Sequence, residues 1–124
     1  MAVELYHKKL SESVIGAAMA VLNRLRPGLD EKLYENALVI ELRNRGHTVD
    51  QQKRFPVHYE NQLIGTLVPD VIIDNLIIAD PKVVTAFNDA HIAQMVGYLN
   101  ITSLEVALLL NFKYAKLQWK RVVK

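Results

Sequence analysis

Cysteine is absent from the chain, which excludes disulfide bonds and thiolate metal sites. No apolar run is long enough to span a bilayer. The opening "MAVELYHKKL" lacks the basic-then-apolar order of a secretory leader. Neither sign of charge dominates: 15 Lys and Arg stand against 13 Asp and Glu, a formal net charge of +2. That balance is compatible with a nucleic-acid partner without demanding one. Repeats, linkers and low-complexity segments are missing, as are a phosphate loop, a Gly-x-Ser-x-Gly elbow and a dinucleotide fingerprint. His58 and His91 fall on different elements, so no histidine pair has ligand spacing. What remains is a chain of 124 residues, 51% hydrophobic, sized for one domain over 1–124 with a packed core. It is expected to be soluble and cytoplasmic.

The apolar periodicity sets the order of elements. In "ELYHKKLSESVIGAAMAVLNRL", Leu10, Val14, Ala17 or Ala18, Val21 and Leu25 recur at helical spacing, and Pro27 and Gly28 end the run. Asp30 is placed to cap a second helix, with Leu33, Ala37, Ile40 and Leu42 as its apolar face and Gly46 as its C-terminal stop. The period then changes to two. "HTVDQQKRFPVHYE", "LIGTLVPDVII" and "NLIIADPKVV" read as three strands, with turns at Asn61–Gln62 and Asp74–Asn75. "NDAHIAQMVGYLNIT" is a third helix capped by Asn88. "LEVALLLNF" reads as a strand covered on both faces and "KLQWKRVVK" as a last strand. The order ααβββαββ predicts an α/β (α+β) fold, one mixed sheet with helices against it.

Proline is scarce, at four residues, yet Pro81 sits inside the apolar "LIIADPKVV", flanked by Asp80 and Lys82. A short turn folds the strand of Asp80 beside that of Asp70, bringing two carboxylates toward one point. They repel unless one is protonated or a cation bridges them, and magnesium is a hard ion that takes such oxygen ligands. Lys82, two residues on, shares the face of Asp80 and is placed to orient water or offset charge on a phosphate. The alternative is structural: Asp70 and Asp74 as turn residues, Asp80 paired with Lys82 at a strand end. On the third helix His91, Gln94 and Tyr98 share a face, either as phosphate-backbone donors or as a solvated side. Glu31 and Tyr34 add an acid and a hydroxyl, although a first-turn glutamate also serves the helix dipole. Lys113, Lys116, Lys120, Arg121 and Lys124, interleaved with Tyr114 and Trp119, form either a phosphate-binding rim or a basic edge that resists strand pairing.

Together these residues resemble a known family. "GLDEKLY" fits the Gly-x-x-Glu-x-x-Tyr signature of the GxxExxY proteins through Gly28, Glu31 and Tyr34. "ALVIELRNRG", "PVHYENQLIG", "HIAQMVGYLN" and "LLLNF" resemble its other blocks, in order, over nearly the whole chain. That family is similar to a minimal PD-(D/E)xK nuclease with a restriction-endonuclease-like core. Pro69 and Asp70 stand for "PD", and Asp80, Pro81 and Lys82 for "(D/E)xK". Gln94 and Tyr98 match the Gln-x-x-x-Tyr motif of RecB-type nucleases.

The resemblance implies a Mg2+- or Mn2+-dependent nuclease acting on DNA, or on RNA. Its ligands would be Glu31, Asp70, Asp80 and the carbonyl of Pro81, its catalytic lysine Lys82, and its substrate contacts Gln94, Tyr98, His91 and Tyr34. It also implies a homodimer, or a subunit working with a helicase or another repair partner. A non-catalytic nucleic-acid-binding or scaffold protein on the same fold is the alternative. The chain departs from the family pattern in having Asp at position 80, where Glu is commoner, and proline at 81 in place of a small apolar residue. That proline implies a bulge or interrupted ladder beside the site.

Overall fold

The computed structural model describes residues 2–124, with side chains from His7 onward. Met1 and the side chains of the next five residues, part of the stretch read for a leader, lie outside the described residues. Two helices come first, α1 (Ala2–Leu25) and α2 (Glu31–Asn44). Arg26 and Gly28, both at positive φ, reverse the chain between them. The end of α2 is a Schellman closure: His47 N donates to Leu42 O and Gly46 N to Arg43 O, with Gly46 at φ +92°. Asp30 holds the N-cap backbone position of α2 without a side-chain cap bond.

Among the described residues the strands are β1 (Val49–Gln51), β2 (Phe55–Tyr59), β3 (Gln62–Leu67), β4 (Val71–Ile73), β5 (Ile77–Lys82), β6 (Val106–Asn111) and β7 (Gln118–Val123). Helix α3 (Asp89–Thr102) lies between β5 and β6. A five-stranded sheet runs β1-β4-β5-β6-β7, with β5 and β6 parallel and the other neighbours antiparallel. This is the expected α+β architecture, a mixed sheet with helices against it.

The sheet separates two apolar clusters. Ile77, Ala79, Val106, Leu108 and Leu110 pack on the face of α1 and α2; Ile72, Ile78, Ala107 and Leu109 pack with Met95 and Leu99 of α3. The all-buried β6 fits the strand expected to be covered on both faces. Asn88 caps α3 as expected, its side chain accepting from His91 N at 2.9 Å.

Several details differ from the sequence reading. Two of the expected strands are each split. β1 and β4 pair within the main sheet, whereas β2 and β3 form a separate hairpin. Gln52 at φ 59° turns the chain out of β1, and residues 68–70, with Pro69, divide β3 from β4. The hairpin turn is Glu60–Asn61, both left-handed, one residue earlier than expected. Helix α2 meets its expected face in part: Leu42 is buried and Ala37 packs on the core, but Tyr34, Leu38 and Val39 fill the rest, while Leu33 is 49% and Ile40 61% exposed. In α1, Leu22 takes the buried place expected of Leu25.

The bulge expected at Pro81 is absent. β5 pairs unbroken with β6 through Asp80↔Leu109, Pro81↔Leu110 and Lys82↔Asn111. Phe112 N donates to Lys82 O at 2.8 Å. In a parallel ladder a residue aims both backbone groups at one neighbour and the next residue aims at the other. Lys82 faces β6, so Pro81 faces the β4 side, where β4 pairing has ended at Val71↔Ala79. The missing N–H of Pro81 therefore costs the sheet nothing.

Candidate active site

The site forms where β5 outruns β4. Continuing the antiparallel register past Val71↔Ala79 sets Asp70, in the bend before β4, opposite Asp80. Ile72 and Ile78 face α3, and alternation turns Asp70, Asp80 and Lys82 the same way. Asp80 is only 4% exposed. Its Oδ1 lies 3.3 Å from Lys82 Nζ. That ammonium also donates to Gln94 Oε1 at 3.3 Å, and Gln94 Nε2 donates to the Tyr98 hydroxyl at 3.1 Å. From the opposite layer, the first turn of α2 sends Glu31 to the end of β5, where it accepts from Val83 N at 3.2 Å.

The electrostatics follow from four carboxylates, Asp70, Asp80, Glu31 and Glu35, set against two lysines, Lys82 beside Asp80 and Lys32 beside Glu35. Burial pushes the Asp80 carboxyl up to about 7; Lys82 opposes this, and Asp70 and Glu31 add to it. Burial also raises Asp70, helped by Glu35 and Glu31 and opposed by Gln52 and Lys82. The Tyr98 phenol is raised by burial and by the charges of Asp80 and Asp70. Negative charge is thus undercompensated. No group of three or more His, Asp or Glu among the described residues is drawn into a ready-made metal cage. The donors around Asp70 and Asp80 are nevertheless all oxygen, and the Pro81 carbonyl faces their side of β5. They fit a hard divalent cation that keeps several waters, and such an ion would relieve the repulsion.

Of the residues expected to touch substrate, Tyr34 is placed otherwise and His91 also serves the fold. Tyr34 is fully buried and stacks on Phe112 with centroids 4.8 Å apart. Its hydroxyl donates to Arg26 O at 2.6 Å and accepts from Leu29 N at 3.1 Å. It pins the loop before α2 and thereby sets where Glu31 begins the helix. His91 completes the α3 capping box: Nδ1 accepts from Asn88 N at 3.1 Å and the ring lies edge-on to Phe87. The basic C-terminal residues of β7 lie on the sheet edge, separated from β5 by β6. Asp74 is the turn residue of the structural alternative, accepting from His47 Nδ1 and Thr48 N.

Residues missed in the sequence complete the site. Glu35 is buried, and its Oε2 accepts from Lys32 Nζ, Gln51 Nε2 and Gln52 Nε2. Burial would raise its pKa, but these donors and the Lys32 charge hold it below the usual range. Its signal was the i, i+4 spacing from Glu31. Asn111, buried at the end of β6, bonds both backbone groups of Val84, as well as Lys113 N and Gln118 Oε1. It fixes the chain just past Lys82, and its signal was one amide closing an apolar run.

A family model described as the PD-(D/E)XK nuclease superfamily matches residues 8–122. Comparisons with curated proteins and with solved structures returned no match.

Proposed function

The chain belongs to the PD-(D/E)XK nuclease superfamily, and from that premise we propose that it is a divalent-metal-dependent nuclease hydrolysing phosphodiester bonds of DNA. One observation supports the reading above others: Lys82 pairs with Asp80 at the end of β5, the β4 register carries Asp70 toward Asp80, and Glu31 accepts from Val83 N there, although three separate stretches of chain supply them. Asp70, Asp80, Glu31 and the Pro81 carbonyl would hold Mg2+ or Mn2+, which when bound supplies Lewis-acid stabilisation of phosphate charge and acidifies water. Lys82, held between Asp80 and Gln94, orients the attacking water and offsets charge growing on the phosphate oxygens. Gln94, read with Tyr98 as the Gln-x-x-x-Tyr motif of RecB-type nucleases, accepts from that ammonium and donates to the Tyr98 hydroxyl, and the pair borders the substrate path. Gly28, Glu31 and Tyr34, read as the GxxExxY signature, build the loop and first helical turn that deliver Glu31.

The test is cleavage of single- and double-stranded DNA by the purified chain with Mg2+ or Mn2+, alongside Asp80→Ala and Lys82→Ala. Both variants should lose turnover. They should separate in calorimetry, where Asp80→Ala loses metal affinity and Lys82→Ala retains it. A chain that neither cuts above the double variant nor binds metal would sink the proposal and leave a nucleic-acid-binding scaffold in its place.

A further inference from the structure

We propose that Gln52, anchored by the buried carboxylate of Glu35, is the positioning residue that orients Asp70 for its ion; the inference rests on reading Asp70 as a metal ligand. Gln52 Nε2 donates to Glu35 Oε2 at 2.9 Å and to Asp70 Oδ1 at 3.3 Å. An ionised carboxylate can only accept, so the amide nitrogen faces both partners and both of its hydrogens are used. The backbone repeats the link: Gln52 N donates to Asp70 O at 3.0 Å. Gln52 reaches both only because its backbone is left-handed, at φ 59°, which a non-glycine residue rarely adopts.

Asp70 needs such a clamp. It lies in a bend outside the regular ladder of β4, among the charges of Glu35, Glu31 and Lys82 and with Gln52 as its side-chain hydrogen-bond donor. The amide fixes Oδ1 and leaves Oδ2 for the ion. Glu35 is the anchor, its Oε2 taking Lys32, Gln51 and Gln52 together. An outer residue that orients a ligand in this way typically governs metal affinity about 10- to 100-fold.

The experiment compares the full chain with its Gln52→Leu variant. Gln52 is exposed, so the substitution leaves the core intact. Mn2+ affinity is read by calorimetry, thermal unfolding in chelator, and DNA cleavage against Mn2+ concentration. The expected result is a loss of Mn2+ affinity of about 10-fold or more with turnover restored at saturating Mn2+, beside any drop in unfolding temperature that the lost bond to Glu35 brings. A purely structural role would lower the unfolding temperature in chelator and leave Mn2+ affinity alone, which overturns the proposal. Equal affinities overturn it by themselves, whereas an unsubstituted chain that fails to bind Mn2+ overturns it together with the metal reading.

Discussion

At the scale of single residues, Asp80 is where folding and chemistry pull apart. Its carboxyl is raised to about 7 by burial and by its acidic neighbours, with Lys82 opposing. A raised carboxyl binds its proton more tightly in the folded chain. The stability it lends is complete below the ordinary carboxyl pKa of 3.8 and is lost as pH climbs through about 7. Asp70 shifts in the same direction; Glu35 is lowered, so its contribution is lost on acidification instead. The metal-free chain should therefore melt at lower temperature at pH 8 than at pH 5.5. Asp80→Asn should flatten that slope and stabilise the chain at pH 8 by at most about 4 kcal/mol. Thermal unfolding in chelator across that range decides it, and a variant no more stable than the parent at pH 8 refutes it. Asp70 and Asp80 were legible in the sequence because a turn and a register suffice to juxtapose them. The role of Pro81 was not: whether its absent N–H matters depends on which side of β5 has a neighbour at that point, and only the sheet order decides that.

At the scale of elements, the loop between α1 and α2 turns on one phenol. Tyr34 bonds a carbonyl and an amide of the loop while its ring is stacked on Phe112. Tyr34→Phe keeps the ring but leaves both backbone groups without that partner, at a cost of about 1–3 kcal/mol. Chemical denaturation should show the loss, and metal affinity should fall with it if Glu31 shifts; an unchanged midpoint would count against this role of the phenol. Sequence spacing placed Tyr34 near Glu31 correctly yet could not tell a hydroxyl facing substrate from one facing its own loop. The same blindness put Leu33 and Ile40 on the buried face of α2: they make an apolar stripe as readable as the buried one of Leu38, Val39 and Leu42. Alternation also made one strand of two, because β1 and β2 share a period and differ only in partner. The left-handed Gln52 that separates them had no compositional mark.

At the scale of the whole molecule, the mixed sheet gives the site its address. β5 and β6 run parallel, so their ends lie together, and β4 stops short beside them. The carboxylates gathered there make the metal-free chain less stable than its core would allow. A bound ion should reverse this. By mass action, Mn2+ at about 100 times its dissociation constant adds about 2.7 kcal/mol. The unfolding temperature should rise with Mn2+ in the parent chain, more at pH 8 than at pH 6, since the ligands must lose their protons first. The rise should vanish in Asp80→Ala, and a parent chain whose melting ignores Mn2+ at both pH values would contradict it. The three helices, and the two covered faces of β6, were legible because buried elements are written as periodic or continuous apolar runs, whereas the five strands between α2 and α3 read as three.

The bond from Gln52 N to Asp70 O has a further consequence. Chain leaves the sheet at one of these residues and returns at the other, so everything between them hangs from a closed neck. Residues 53–69 form a side excursion that rests on the α3-side core through Phe55 and carries exposed Tyr59, Leu63 and Ile64 on its hairpin. Evolution can exchange such an appendage as a module, and vary what the chain reaches for, while the register of β4 against β5 beneath it stays where it is.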